Sequence, residues 1–456
     1  MTGPERHDVI VLGAGPAGEV CAGRLAAEGL DVCVVERELV GGECAYWACM
    51  PSKALLRPGS ALAETARVPG AREAVTKGID VEQALDRRDR VIHNLKDDAQ
   101  LPWLKDRGIT LVRGHGRLDG ERRVKVGDRV LQATRAVVIA VGSGAAIPPV
   151  AGLKEISPWT NRAATTAHEP PPTLTVLGGG AVGCELAQAW ASLGSTVTQV
   201  EAEPVLIPGS EPFASALLTE SSRELGIDVR TGAHAKQATK DAHGFTLTLS
   251  TGEELRSDEL LVAVGRTPHT SDLGLDTIDL KTGIIAVDDR MRVPSHGDWL
   301  YAVGDVNGRA LVTHAGKYQA LIASATIMNR PAIAAWDGPL SPRVVFTDPQ
   351  IAAVGLTLDR ALADGLPARA VDADPGKTAG ASFTGKGSRT GARIVVDDER
   401  EVLVGATFVG PEIAESLHAA TIAMVGEVPL RELVHAIPAF PTRSEVWLRL
   451  LEPWAP

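Results

Sequence analysis

The chain has 456 residues, 44% hydrophobic and 23% charged. That globular composition excludes wholesale disorder and fibrous repeats, and at roughly 150 residues per domain it calls for about three domains. With 46 Lys and Arg against 57 Asp and Glu the formal net charge is −11, which argues against nonspecific binding to nucleic acid or anionic membranes.

No apolar run approaches the roughly 20 residues that span a bilayer. The N-terminus MTGPERHDVIVLGAGPAG lacks the basic, apolar, small-residue order of a signal peptide. The expectation is a cytoplasmic protein with neither a membrane nor a nucleic-acid partner. Five Cys make no disulfide framework.

In chain order, the first element is an apolar strand from Asp8 in DVIVLGAGPAGEVCAGRLAAEGLDVCVVERE. A glycine-rich turn, an Ala-rich amphipathic helix, a glycine stop, a second strand and a closing acid, Glu36, follow. After GGECAYWACMPSKALLRP comes a predicted helical stretch over 60–110, whose charged run DRRDRVIHNLKDDAQ makes a solvated face. Short alternating strands over 110–145 end in AVVIAVGSGAAIPPV, and HEPPPTL from His168 reads as a linker. It leads into LTVLGGGAVGCELAQAWASLGSTVTQVEAE from Leu174, a near-repeat of the opening unit, closed by LLVAVGRTP at Gly265. LYAVGDVNG around Asp305 is a strand and a turn, and beyond PLSPRVVF near Pro342 an α+β segment follows.

The two copies are dinucleotide-binding fingerprints, with the acid at the same distance from the first glycine in each. Gly13 and Gly178 permit the tight turn. Gly15 and Gly180 let a pyrophosphate approach the backbone. Gly18 and Gly183 let helix pack on strand. The helix N-terminus offers N–H groups and positive dipole to phosphates. Glu36 and Glu201 end the second strands, where a carboxylate accepts hydrogen bonds from ribose hydroxyls. Two such sites in one chain point to two different dinucleotides.

Cys44 and Cys49 stand close in sequence, and on a helical path their sulfurs come within bonding reach. A Pro and a helix-favouring Ala-Leu-Leu follow, so the pair is expected in the first turns of a helix, where the dipole lowers a thiol pKa and favours the reactive thiolate. Two buried structural cysteines are the alternative, the reading given to Cys21, Cys33 and Cys184. A metal would want more ligands than stand nearby, so no metal is expected.

These motifs together resemble the class I flavin-dependent pyridine nucleotide–disulfide oxidoreductases, a family that includes dihydrolipoamide dehydrogenase, glutathione reductase and mercuric reductase. The resemblance covers nearly the whole chain: GAGPAG at Gly13, Cys-x4-Cys-x-Pro-Ser-Lys at Cys44, VIAVGS at Val138, GGGAVGCE at Gly178, AVGRTP at Ala263, YAVGDV at Tyr301, VVFTDPQIAAVG at Val344 and FPTRSE at Phe440. It implies an α/β fold of two Rossmann-like dinucleotide-binding domains plus an α+β C-terminal dimerisation domain. The implied limits are 1–149 and 270–338 for a discontinuous FAD-binding domain, 150–269 for the NAD-binding domain and 339–456 for the interface domain of a homodimer.

The resemblance also implies a division of labour. FAD is held by the first fingerprint, Gly13 with Gly15, Pro16, Ala17 and Gly18, and by Glu36 on the adenosine ribose beside Arg37. Gly42 and Glu43 join it from the segment before the cysteines. The Gly114-His115-Gly116 turn and Ala140, Gly142 and Ser143 of the AVGS stretch line the same cofactor. Asp305, near the ribityl chain, completes the set with Gly304 and Ala315. The nicotinamide cofactor falls to Gly178, Gly180, Ala181, Val182, Gly183 and Glu201, with Gly265 closing the site; Arg266 is a further cofactor-binding residue. Because Glu201 has no basic neighbour in VEAEP, a 2′-phosphate is repelled, and the expectation is NAD(H) over NADP(H). Electrons are expected to pass from NADH through FAD to a Cys44–Cys49 disulfide and on to a small disulfide or related acceptor. Cys49 is the flavin-adjacent sulfur, Cys44 the sulfur that meets the substrate, and Lys53 lies near flavin N5 paired with Glu185.

One position departs from the family. The C-terminal motif of lipoamide dehydrogenase and glutathione reductase carries an acid/base His, placed by the resemblance on the partner subunit, and a Glu after it. Here the Glu is kept as Glu445, but Phe440 stands at the His position and cannot carry a proton, removing an acid/base contribution of roughly 10²–10⁴-fold. His435, five residues before Phe440, is read as a structural or solvated histidine, with a substitute base as the alternative. Mercuric reductases also lack this His but carry a C-terminal Cys pair, absent from WLRLLEPWAP. A Phe is similar to the ketopropyl-coenzyme M oxidoreductase/carboxylase, which pairs it with a His where this chain has Glu445. A dithiol-dependent C–S cleaving reductase or carboxylase therefore stays open, as does a redox-sensing or electron-relay flavoprotein.

Overall fold

The first strand, Glu5–Leu12, is buried over Val9–Leu12, an unbroken apolar run of the kind that sits inside a parallel sheet with both faces covered. In this computed structural model, which describes residues 3–385 and 387–456, that strand is central to a seven-stranded sheet. The order is Thr110–Arg113, Val32–Glu36, Glu5–Leu12, Arg129–Ile139, Arg123–Val126 and Gly116–Leu118. Arg129–Ile139 is long enough for two neighbours on one side: its start pairs antiparallel with Arg123–Val126, its end parallel with Leu300–Ala302. Helices Pro16–Ala27 and Thr313–Ile327 pack together through Ala17, Cys21 and Ser324, where small side chains allow close approach.

That sheet belongs to one of two compact units, made of Met1–Pro51, Asp89–Ala145 and Arg266–Ser341. A two-stranded ribbon, Ser143–Ala145 with Arg266–Pro268, lies in the same unit. The other unit comprises Ser52–Arg88, Ala146–Gly265 and Pro342–Pro456. Its four-stranded parallel sheet runs Asp228–Arg230, Thr196–Val200, Thr173–Leu177, Glu259–Val262. It also holds a three-stranded antiparallel sheet over 235–257 and a five-stranded antiparallel sheet ordered Arg343–Val345, Gln350–Gly355, Val402–Gly410, Gly391–Asp397, Ala368–Ala373. The expected α/β architecture is the one observed.

Helix Ala181–Ser192 is the centre of the second unit. Every residue from Gly183 to Trp190 is buried, as expected of a helix apolar on nearly all sides. Trp190 is 0% exposed and packs against Trp159 at 6.1 Å between ring centroids. Nearby, the fully buried Arg88 guanidinium donates to the carbonyls of Thr165 and Ala167, at the end of helix Asn161–Thr166, where backbone acceptors and the negative end of the dipole accommodate its charge.

The predicted helical stretch over 60–110 is broken into Cys49–Arg67, Val81–Val91 and Leu101–Asp106. The glycine stop after the first helix holds, with chain reversal at Glu28 and Gly29. Truncating Trp190 to Ala removes the largest fully buried side chain of this core. We expect a loss of about 3–5 kcal/mol, read as a lower midpoint in guanidinium unfolding.

Candidate active site

The two glycine turns are built alike. Gly13 N–H donates to Val35 O and Gly178 N–H to Val200 O, both at 2.8 Å. A Cβ on Gly18 would stand 1.9 Å from Gly13 O, and one on Gly183 would stand 2.1 Å from Gly178 O. These third glycines exist because helix and turn touch. The middle glycines differ: nothing lies within 4 Å of a Cβ on Gly180, and only the Gly42 Cα approaches one on Gly15.

Each following helix, Pro16–Ala27 and Ala181–Ser192, starts with no side-chain cap. Its first N–H groups and positive dipole face outward above an unfilled backbone turn. Both turns therefore fit a dinucleotide pyrophosphate.

The acids expected on the riboses are buried and tied to the turns. Glu36 Oε2 accepts from Ala14 N–H and Oε1 from Glu38 N–H, each at 2.7 Å. Glu201 repeats the pattern with Gly179 N–H and, at 2.7 Å, Glu203 N–H. Each carboxylate oxygen keeps a further lone pair for a hydroxyl.

The remaining residues expected around FAD fall as follows. Pro16, Ala17 and Gly18 open the first helix, and Arg37 is exposed just past Glu36. A Cβ on Gly42 would come 2.7 Å from the Gly15 Cα, so these two glycines meet backbone to backbone. Glu43 follows in the next helical turn. In the Gly114–Gly116 turn, His115 is exposed and bonds Asp272 O at 2.7 Å. Ser143 Oγ donates to Asp305 Oδ2 at 2.5 Å and is itself met by Arg266 Nε at 2.7 Å. Arg266 thus stands with Asp305 in the first unit, 3.3 Å from its carboxylate. Ala140 and Ala315 are buried, Gly142 precedes Ser143, and Gly304 N–H donates to Gln319 Oε1 at 2.8 Å. In the second turn Ala181, Val182 and Gly265 are exposed.

The cysteines are arranged differently from the expectation of one helix. Gly41, left-handed at φ 111°, starts a five-residue helix Gly42–Tyr46 that holds Cys44, and Trp47 ends it. Cys49 then opens the separate helix Cys49–Arg67. The two thiols are hydrogen-bonded to each other, and Cys49 Sγ lies 3.5 Å from Thr313 Oγ1.

The thiolate is not favoured at Cys44. Its hydrogen bond to Cys49 and its burial push that thiol up, while the Thr313 hydroxyl and Lys317 ammonium only partly oppose this. Cys21, Cys33 and Cys184 are buried thiols pushed up by burial to about 11, 12 and 12, which makes them inert packing residues. Tyr46 packs under the pair's first helix, its hydroxyl donating to Val40 O at 3.0 Å.

Lys53 Nζ donates to Glu185 Oε2 at 2.7 Å. The 5% exposed Glu185 carboxylate takes a second hydrogen bond on Oε1 from Phe346 N–H at 3.0 Å, and the Lys53 ammonium sits 4.8 Å from the Phe346 ring centroid. Phe440 is 77% exposed, His435 is exposed, and Glu445 accepts from Gly380 N–H at 3.3 Å. Thr313 and Phe346 enter these clusters without a sequence expectation. Phe346 lay in the VVFTDPQIAAVG motif, but nothing local marked its ring for Lys53.

Among the described residues no group of three or more His, Cys, Asp or Glu is placed to hold a metal, and no helix is long and apolar enough to cross a membrane.

The sequence matches two family models, pyridine nucleotide-disulphide oxidoreductase over residues 7–324 and the dimerisation domain of the same family over residues 341–450. The chain belongs to the class I pyridine nucleotide–disulfide oxidoreductases. It is an NAD(P)H-dependent flavin disulfide oxidoreductase that uses FAD and a pyridine nucleotide, and its dimerisation domain supports a homodimer.

A dihydrolipoyl dehydrogenase of Haloferax volcanii is 31% identical over 460 residues, covering 98% of this chain and 95% of the relative. One of Thermus scotoductus is 33% identical over 451 residues, covering 96% and 95%. A mercuric reductase of Acidithiobacillus ferrooxidans is 32% identical over 457 residues, covering 97% and 81%. In fold the chain is similar to LpdA from Mycobacterium tuberculosis, with a TM-score of 0.87, 24% identity and 99% and 100% of the two chains covered.

The middle and last glycines of the second turn predict opposite outcomes for one added methyl group. Gly183→Ala should cost about 1–3 kcal/mol or more by overpacking, visible as a lower melting temperature. Gly180→Ala should leave melting unchanged and raise the KM for the nicotinamide cofactor on the order of tenfold, by crowding the pyrophosphate.

Proposed function

We propose that this enzyme is NADH-dependent and reduces a small disulfide or related acceptor through the Cys44–Cys49 pair, in the cytoplasm. The carrying observation is the hydrogen-bonded dithiol in the same unit as the first fingerprint. The reading keeps the limits 1–149 and 270–338 for FAD, 150–269 for NAD and 339–456 for the interface. Glu36 and Asp305 are assigned to FAD. Glu201 is assigned to the NADH ribose, its carboxylate already anchored by two N–H groups and its run VEAEP free of basic residues. When bound, FAD supplies two-electron transfer from the nicotinamide to the sulfur pair.

The chain's own residues do the sulfur chemistry. Cys44, as thiolate, attacks one sulfur of the acceptor and expels the other as a thiolate, forming a mixed disulfide. Cys49 then attacks Cys44, closing the Cys44–Cys49 disulfide and releasing the second thiolate. Both released thiolates take protons from solvent, because Phe440 offers none. Lys53 supplies a fixed cation, held by Glu185. The phenylalanine also favours a second reading, a C–S cleaving reductase whose carbanion product is protected from protonation by that same missing proton donor.

Stopped-flow reduction should favour NADH over NADPH by at least tenfold. Cys44→Ser should abolish acceptor turnover while flavin reduction by NADH persists; intact turnover in that variant would overturn the disulfide-reductase reading.

A raised Cys44 pKa means that thiolate forms only as pH rises, so kcat/KM for a disulfide acceptor should climb with pH through and above the ordinary thiol range. Phe440→His should raise lipoamide reduction most at neutral pH, flattening that profile. An unchanged profile would exclude lipoamide as the acceptor.

A further inference from the structure

We propose that Phe346 is a positioning residue for the Lys53–Glu185 ion pair, its ring carrying the lysine and its backbone the glutamate. This rests on the assignment of that pair to the flavin site. Glu185 is buried on helix Ala181–Ser192, where an unpartnered carboxylate is costly. Lys53 satisfies one oxygen, and Phe346 N–H, at 3.0 Å, satisfies the other.

Lys53 needs holding more than Glu185 does. Its side chain is 35% exposed and its flexible four-carbon stem leaves the ammonium free to swing into water. The Phe346 ring face lies 4.8 Å from that ammonium, within cation–π range, and closes one direction of escape.

The ring is placed by a loop fastened independently of it. Asp348 N–H donates to Gln188 Oε1 at 2.8 Å, Ser221 Oγ donates to Asp348 O at 2.5 Å, and Arg67 pairs with the Asp348 carboxylate. Gln188 stands one turn beyond Glu185 on the same helix, so residues 346 and 348 meet that helix as two successive rungs. Residue 346 lies in the stretch matched by the dimerisation-domain family, 341–450, so that domain contributes a side chain to the pair within its own chain.

A residue that merely fills space would tolerate any apolar replacement of similar size; one that holds a cation needs an aromatic face. Phe346→Leu and Phe346→Tyr separate the two, because both keep the backbone N–H on Glu185. The measurement is the acetylation rate of Lys53 in the FAD-loaded enzyme, followed by mass spectrometry at one fixed pH, with Glu185→Gln as reference and thermal melting as the fold control.

The amine must leave its partners to meet the reagent, and the carboxylate and the ring each hold it in place. Glu185→Gln should therefore speed labelling, Phe346→Leu should speed it roughly three- to tenfold, and Phe346→Tyr should leave it at the wild-type rate. Labelling in Phe346→Leu equal to wild type, or in Phe346→Tyr as fast as in Phe346→Leu, would overturn the inference. Single-turnover flavin reduction by NADH tests the assignment beneath it. If Glu185→Gln labels faster yet leaves flavin reduction unchanged, the pair's role at the flavin fails while the positioning by Phe346 stands.

Discussion

The fold of each nucleotide-binding half turns on one close approach, the helix start that touches the carbonyl of the first turn glycine. Only hydrogen fits between Gly18 or Gly183 and that oxygen. Once the contact is made, the helix axis is aimed, its uncapped N–H groups point over the turn, and the carboxylate at the end of the neighbouring strand reaches back to pin the loop. Each half then presents a cradle, formed almost wholly by backbone, that fits a diphosphate flanked by a ribose.

The two halves share this geometry and diverge one turn later. Where the second helix carries Glu185 and Gln188, the corresponding positions of the first are Val20 and Gly23. Val20 packs into the apolar core of its unit, and Gly23 accommodates the Trp103 ring, against which a Cβ would come to 2.9 Å. Glu185 and Gln188 instead receive N–H groups from Phe346 and Asp348. A repeated scaffold has thus been given an apolar partner on one copy and a polar one on the other.

The repeated strand, turn, helix and acid were legible because their determinants are local: a buried β-branched run, glycines at fixed offsets and a carboxylate at the strand end. The cysteine segment was legible in chemistry and not in conformation. Its spacing allowed one helix, but Gly41 in a left-handed conformation and the stop at Trp47 divide it, so Cys44 does not sit at the start of the helix that Cys49 opens. The thiolate inferred from a helix dipole gave way to a thiol, because a neighbouring sulfur and burial outweigh the dipole. The company of Arg266, Ser143 and Asp305, could not be read from its place after the second fingerprint, since it comes from the pairing of the strand it begins with Ser143–Ala145. Phe346 and Thr313 could not be read at all: each meets its partner across a separation that only folding closes.

The protonated state of Cys44 carries a consequence for how reducing power is kept. Peroxides and molecular oxygen attack thiolates far faster than thiols. A Cys44 that holds its proton at neutral pH is therefore slow to react with stray oxidants, and the same reluctance makes it slow toward any acceptor that does not itself draw that proton away.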